Sequence, residues 1–373
     1  MGTGGSEVTA MWTLQALQDR CKVTFVTASE VDWDVLNASY GTSVDPEKIT
    51  LLKAPHLPSV DGPENLVHLQ LRYFEKFCNS VAGDFDLCIS AYNPINFGRR
   101  SIQLIGDFSF SEEMRKRLYV YGREKFRHQD SILRRIYLRV GDWIGLTMVP
   151  LKDRGDLVLA NSRWSAEILS NFFGIEEAPV IYPPVMLPKA LSDSERDPLG
   201  FVCLGRLVPE KEIERMISIL KSLREQGFPV TLRLIGALDG SNYCASLEKV
   251  IARESWIQTE GFLMLDEKQS ILSSLTFALH ACRIEAFGIA VAEMASMGCV
   301  PFVPDTGGAG EIVGLPELQF NTDEEAVDKI VALLENPARI DAIRAQLIEE
   351  MNRFGPEVFM KELQEHVLEF SGR

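Results

Sequence analysis

Apolar residues along the chain fall into two successive runs in which short strand-like stretches alternate with helical spacing. The first run opens on MGTGGSEVTAMWTLQAL, a glycine loop entering a helix, with Ser6 at the N-cap and Val8, Met11, Trp12, Leu14 and Leu17 at helical intervals. A loop of this kind normally follows a strand in a βαβ unit, and none precedes it here, so either the true start lies upstream or the sheet lacks an edge. Strands are predicted at Lys22–Ala28, Ile49–Lys53, Asp86–Ser90, Ser101–Ile105 and Asp156–Asn161. A helix is predicted over Asn65–Val81, where Leu66, Leu69, Tyr73, Phe77 and Val81 align, and another over Trp164–Phe173 with Ser162 as its cap.

A stretch rich in Pro, Ser and charge, VIYPPVMLPKALSDSERDP, then interrupts the pattern and marks a domain boundary. Beyond it the alternation resumes, with strands at Gly200–Leu204, Val230–Gly236, Trp256–Thr259, Thr276–Cys282 and Gln319–Phe320. Helices close the chain at Asp323–Leu334, Ile340–Met351 and Pro356–Phe370. Two alternating series imply two doubly wound α/β domains with a cleft between them. The expected division is 1–185, a linker 186–198, a second domain 199–352, and a closing helix 353–373 that returns to the first domain.

Phe277–Val313 holds the densest chemistry. A buried strand runs into a glycine turn and then a helix from Gly288 to Met297, with Ala290, Val291, Met294 and Ala295 on its inner side. The amides of Phe287, Gly288 and Ile289 at that helix start favour an anion, for which a diphosphate is the natural candidate. Glu285 lies in the turn and Glu293 about two turns along the helix, so the two carboxylates suit hydroxyls at opposite ends of one ligand. A nucleotide sugar has that shape. The plainer alternative makes Glu293 a solvated helix residue and Glu285 an ordinary loop acid.

The second constellation is GRLVPEK, Gly205–Lys211, at the end of the second domain's first strand, where ligands of open α/β sheets bind. Arg206 offers a fork for phosphate oxygens and Lys211 a point charge, together able to stabilise a nucleoside diphosphate leaving group. No DxD-like cluster accompanies them, so no metal is required. The alternative pairs Lys211 with Glu210 or Glu214.

The chain's 373 residues exceed what one core usually serves, which agrees with two domains. A net charge of −15 argues against nucleic-acid binding by the surface as a whole. The seven cysteines are scattered without Cys-x-x-Cys spacing, which suggests neither disulfides nor zinc and fits a reducing cytoplasm. Neither a signal peptide nor a long apolar span is predicted. One segment departs from the acidic background: 99–139 carries eleven basic residues against five acidic ones, a balance of +6. Tyr119, Tyr121, Phe126, Ile132, Leu133, Ile136, Tyr137, Trp143 and Ile144 are interleaved with these charges. Residues 99–144 thus read either as a peripheral contact with an anionic membrane or acidic acceptor, or as a solvated helix pair over the first domain.

Together these residues resemble the retaining glycosyltransferases of family 4, which have the GT-B fold of two Rossmann-like domains facing a cleft. Gly4-Gly5-Ser6-Glu7 resembles the family's first glycine loop, Gly205-Arg206 with Lys211 its phosphate clamp, and Glu285-Ala286-Phe287-Gly288 with Glu293 its Glu-x7-Glu signature. Thr306-Gly307-Gly308 with Glu311-Ile312-Val313 resembles the glycine loop that follows. The resemblance implies that Arg206 and Lys211 hold the diphosphate, that the Phe287, Gly288 and Ile289 amides meet sugar and phosphate, that Glu293 binds the ribose, and that Glu285 lies at the sugar. ANSRWSAEIL and VIYPP after the basic insertion look most like members that extend lipid-linked oligosaccharides, the mannosyltransferases of N-glycan assembly among them.

Two departures stand out. Many members carry a His after the strand that here reads SIQLIGDFSF, and the matching position falls on Gly106 or Asp107, where Asp107 would take over sugar contacts. Lys211 is followed by Glu212 where Gly is common, while His280, on an apolar strand, reads as a satisfied core residue. The expected activity is transfer of a hexose from a nucleoside diphosphate sugar, such as GDP-mannose or a UDP-sugar, to an acceptor hydroxyl with retention, in glycan, polysaccharide or glycolipid assembly. No separate cofactor is expected. The acceptor would be a glycan or lipid-linked glycan, and the location the cytoplasm or the inner membrane face. The alternative is an impaired nucleotide-sugar-binding homologue. A dinucleotide dehydrogenase is disfavoured because GTGGSE lacks G-x-G-x-x-G spacing.

Overall fold

The computed structural model describes residues 4–58, 66–118, 131–145, 149–188 and 195–372. The stretch 119–130 of the basic segment, with Arg123, Lys125 and Arg127, and the centre of the expected linker, 189–194, lie outside the described residues. The chain divides into two compact units. One takes residues up to 116, those from 131 to 183 and those from 357 onward; the other is 184–356.

In the first unit, α1 (Gly5–Leu17), β1 (Val23–Thr27), α2 (Trp33–Tyr40) and β2 (Ile49–Lys53) build a small layer, with β1 and β2 parallel and Val23 opposite Ile49. Met11, Leu14, Leu36, Tyr40, Val44 and Ile49 form its core, and Val8, Phe25 and Trp33 pack against it. The expected cap at Ser6 is corrected: α1 begins at Gly5, Gly4 is its N-cap without a side-chain bond, and Ser6 Oγ donates to Glu7 Oε2 at 2.6 Å. There follow α3 (Val67–Val81), β3 (Ile89–Ser90), β4 (Ile102–Ile105), α4 (Glu112–Leu118), α5 (Ile132–Ile144), β5 (Leu157–Ala160) and α6 (Arg163–Phe173). β4 is central in a parallel β3-β4-β5 sheet, with Ile102 opposite Ile89 and Leu157. Among the described residues the first unit thus holds two parallel ladders rather than one continuous sheet. Ser162 caps α6 as expected, accepting from Ser165 N at 3.0 Å.

The second unit is a doubly wound sheet. Its elements are β6 (Asp197–Leu204), α7 (Ile213–Glu225), β7 (Thr231–Ile235), α8 (Asn242–Ile251), β8 (Ile257–Gly261), α9 (Leu265–Ser273), β9 (Leu275–Leu279), α10 (Ile289–Ser296), β10 (Val300–Pro304), α11 (Ala309–Val313), β11 (Gln319–Phe320), α12 (Asp323–Leu334) and α13 (Pro337–Met351). The six strands are parallel in the order β11-β10-β9-β6-β7-β8. The fully buried rings of Phe201, Phe277 and Phe302 bind the centre together, the first pair stacked with centroids 5.0 Å apart. Strand order reverses between β6 and β9, and that switch point is where the carboxyl ends of neighbouring strands leave a crevice.

The last helix, α14 (Pro356–Ser371), falls with the first unit from Glu357 on. Gln364 Nε2 donates to Ala16 O at 2.6 Å, and the Arg100 guanidinium lies 4.9 Å from the Phe370 ring centre. Among the described residues no helix is long and apolar enough to cross a membrane.

Candidate functional site

Because β6 and β9 are neighbours, the loops at their carboxyl ends meet. Chain direction changes after β6 at Gly205, whose φ of +133° belongs to glycine alone. Its carbonyl sits so close to Gly236 that a Cβ there would lie 2.0 Å from it. Arg206 follows, exposed, and a single 3-10 turn over Pro209–Lys211 carries Lys211 inward. On the other side β9 continues to His280, whose amide donates to Phe302 O at 2.9 Å, and the chain then turns through Glu285.

Lys211 Nζ donates to Glu285 Oε2, and each side chain keeps only 19% of its exposure. Burial opposes both charges. In Glu285 the Lys211 ammonium outweighs burial and holds the carboxyl well below the usual carboxylate range. In Lys211 burial again pulls toward the neutral amine, and Glu285 with the Cys282 sulfur overcomes it, so the ammonium is held above its ordinary value. Arg206 is near enough to oppose that charge. The alternative partners of Lys211 are thereby corrected; Glu214 instead accepts from Tyr243 Oη at 2.7 Å.

His280 is buried as expected but is not satisfied. Its Nε2 lies 3.2 Å from Glu285 Oε2 without hydrogen-bond geometry. Burial lowers its pKa against the pull of Glu285, leaving a neutral imidazole under the carboxylate. His280, Cys282 and Glu285 bring three ligand atoms within 4.8 Å of one another. The donor set does not suit a cation: the Lys211 ammonium occupies the shared carboxylate oxygen, and burial pushes the Cys282 thiol up to about 12.

The glycine loop after β10 braces the Glu285 turn from behind. Gly308 N donates to Glu285 O at 2.7 Å, and Thr306 Oγ1 donates to Arg283 O at 3.0 Å. A Cβ on Gly308 would sit 2.2 Å from Ala286 O, so only glycine allows this approach. Gly288 caps α10 with φ +105°, and the Phe287 ring is buried edge-on against Phe354 at 5.2 Å. The helix is buried nearly all round, at Val291, Ala292, Met294, Ala295 and Ser296, so it has no single inner face; Ala290, expected inside, is half-buried.

Two residues escaped the sequence reading. Lys268 on α9 donates to Glu293 Oε1 at 2.8 Å, and Arg283 Nη2 lies 3.3 Å from Glu212 Oε2. Glu212 adopts φ +49°, the left-handed region, which gives the physical reason a glycine suits this position. A cavity of about 320 Å³ beyond the β10 and β11 ends is lined by Arg215, Arg283, Thr306, Asn321 and Asp323 among others. Its cations face partners already, Arg215 Nε donating to Asp323 Oδ1 at 2.6 Å.

In the first unit, Asp107 follows β4 and is already engaged. Its Oδ2 accepts from Tyr92 Oη at 2.9 Å and its Oδ1 from Ser109 N at 2.7 Å. Gly106 is clamped by Tyr92 O and Asn161 Nδ2, and a Cβ at 106 would come 2.2 Å from the Tyr92 ring. A side chain at 106 would therefore have to displace the Tyr92 ring. Gly4 and Gly5 stand at the α1 start, where Tyr40 Oη donates to Gly4 O at 3.3 Å.

Comparison with known proteins places this geometry. Residues 190–353 match the family model of glycosyl transferases group 1. No curated protein sequence matches the chain significantly. Among solved structures, Anabaena HepE in complex with UDP-glucose is similar with a TM-score of 0.68 and 19% identity, covering 99% of this chain and 97% of that one. WaaG, a glycosyltransferase involved in lipopolysaccharide biosynthesis, is similar with a TM-score of 0.68 and 12% identity, over 97% of each chain. The fold is therefore GT-B.

Proposed function

We propose that this chain is a glycosyltransferase that moves a hexose from a nucleoside diphosphate sugar to an acceptor hydroxyl with retention at the anomeric carbon. The observation that carries the reading is the Lys211–Glu285 ion pair at the switch point of a parallel sheet, flanked by Arg206. Arg206 and Lys211 hold the diphosphate and stabilise the charge that grows on it as the glycosidic bond breaks. Glu285, kept ionised, is an acceptor only, suited to binding sugar hydroxyls and unsuited to donating a proton. The Gly308 amide behind it holds its turn in place, and the His280 imidazole packs 3.2 Å from the carboxylate. Glu293, held by Lys268, accepts from the ribose hydroxyls. Amides of Phe287, Gly288 and Ile289 contact sugar and phosphate at the α10 start. In the first unit we assign sugar contacts to Asp107, and ligand contacts to the backbone of Gly4 and Gly5.

The match of 190–353 to group 1 glycosyl transferases supports this reading. HepE is solved with UDP-glucose, which favours testing UDP-hexoses before GDP-mannose. WaaG acts in lipopolysaccharide biosynthesis, which favours a glycan or glycolipid acceptor. A thermal-shift panel of UDP- and GDP-hexoses, followed by product NMR at the anomeric centre, tests the proposal. A donor that raises the melting temperature and yields product of unchanged anomeric configuration supports it. Inversion overturns retention. Donor binding with neither transfer nor hydrolysis on any acceptor supports a nucleotide-sugar-binding homologue instead.

A further inference from the structure

Among the described residues, helix α5 is fastened to the first unit chiefly through Arg134, Tyr137 and Gly141. Gly141 is buried where a Cβ would lie 2.3 Å from His68 Cδ2, so the helix backbone runs directly over that ring. His68 N donates to Tyr137 Oη at 3.0 Å, and the two rings lie 5.7 Å apart. Arg134 grips Glu112 through Nε at 2.7 Å and Nη2 at 2.6 Å. The packed side is therefore 134, 137 and 141.

The opposite side carries Ile132, Leu133, Ile136, Val140 and Trp143, exposed at 77%, 80%, 53%, 41% and 85%. At 3.6 residues per turn these five share an arc of about 100°. Exposed Arg139 and Arg135 border the arc on one flank, followed by Asp142, whose Oδ1 lies 3.8 Å from Arg72 Nη2. A lone exposed leucine needs no explanation, but five neighbouring large apolar side chains with a tryptophan mark an interaction surface.

We infer that the α5 face made by Ile132, Leu133, Ile136, Val140 and Trp143 lies in the interface of an anionic lipid surface, with Arg135 and Arg139 at the headgroups. Charge selects this occupant. Helix α5 carries Arg134, Arg135 and Arg139 against Asp142, a balance of +2 in a chain of −15, so an anionic surface attracts this face while the rest of the protein is held off it. A second copy is a poor fit. A two-fold contact sets the patch against itself, bringing the arginines of one copy toward those of the other and two acidic bodies together. A tryptophan on such a face, next to its basic flank, sits at the boundary of headgroup and acyl chain, and a helix of 13 residues lies in that plane rather than spanning it.

The test uses the full chain and unilamellar vesicles of phosphatidylcholine alone or mixed equally with phosphatidylglycerol. Co-sedimentation should occur with the anionic vesicles, weaken with salt, and be accompanied by quenching of Trp143 by lipid-borne nitroxide, read as the difference from Trp143→Phe. Ile136→Ser with Trp143→Ser should lower partition by at least about tenfold. Arg135→Gln with Arg139→Gln should lower it by about thirtyfold and flatten the salt dependence. Melting temperatures should stay within about 2 °C, since exposed positions are replaced. If the serine variant is nevertheless destabilised, the nitroxide quenching of the intact protein decides. Equal binding to both vesicle types, absence of quenching, or self-association abolished by the serine variant without vesicle binding would each overturn the inference.

Discussion

Lys211 and Glu285 stand 74 residues apart in sequence and share one hydrogen-bonded ion pair, made because β6 and β9 are neighbours in the sheet. Removing either partner strands the other charge in a mostly buried place. Lys211→Met and Glu285→Gln should each lower unfolding free energy by about 3 kcal/mol, and the double variant by less than their sum. The pH dependence follows from the two directions. Glu285 is held low, so its contribution is complete above the unfolded carboxylate pKa, about 4.3, and fades as acid protonates the folded group. Lys211 is held high, so its contribution is complete below about 10.4 and fades as alkali removes its proton. Urea titrations should therefore find a constant gap between the native protein and Glu285→Gln from about pH 5 to about pH 9, narrowing below about pH 4.

Glu212 pays twice for its position. Its backbone is left-handed at φ +49°, and burial raises its carboxyl pKa despite Arg283. Both Glu212→Gly and Glu212→Ala remove the buried carboxyl and its 3.3 Å contact with Arg283, but only Glu212→Gly relieves the strain and should raise stability by about 0.5–1 kcal/mol, whereas Glu212→Ala keeps it and should lower stability. Urea midpoints of the two variants should move in opposite directions; a shared direction would show that backbone strain is not the dominant effect.

Local patterns revealed Glu285 and Lys211 separately, each at the end of an apolar strand that leads into a helix. Their pairing was illegible, because it depends on strand order over 74 residues, which no local period encodes. Lys268 was silent for the same reason: its meaning lies in Glu293 on another helix. Ser6 misled because a serine inside a first turn and a serine at the cap look alike in sequence, and Gly4, two residues earlier, took the cap. The departure at Glu212 was visible as a missing glycine, but only the φ angle shows what that glycine would have relieved.

Gly308 carries a steric prediction. Its amide reaches Glu285 O at 2.7 Å, and any Cβ would stand 2.2 Å from Ala286 O. Gly308→Ala must push the two loops apart, which should destabilise the fold by about 1–3 kcal/mol and displace the Glu285 turn. Thermal melts report the first effect. The second should appear as loss of the donor-induced melting shift at temperatures where the variant is still folded.

Glu293 is the candidate ribose partner, and Lys268 keeps it oriented. Hydrogen bonds to charged groups contribute about 1.5–3 kcal/mol, so Glu293→Ala should weaken nucleoside diphosphate binding about ten- to a hundredfold. Lys268→Ala, which leaves the carboxylate but frees its rotamer, should weaken it less. Calorimetry with the nucleoside diphosphate and its 2′-deoxy analogue separates the roles: Glu293→Ala should erase the preference for the ribose form.

Arg206 is the residue at which stability and chemistry separate most cleanly. It is exposed beside the buried Lys211 and lies on the loop leaving β6. Exposed positions outside caps and ion-pair networks change stability by about 0.5 kcal/mol or less, so Arg206→Ala should melt like the native protein. If its guanidinium meets charge growing on the departing diphosphate, turnover with intact donor should fall about 10²–10³-fold. Arg206→Lys should recover only part of the rate, since a point charge lacks the fork that matches two phosphate oxygens. Initial rates of transfer for both variants, measured at saturating donor, are the check. An unchanged rate in Arg206→Ala would remove Arg206 from the leaving-group role and leave Lys211 as the cation for that task.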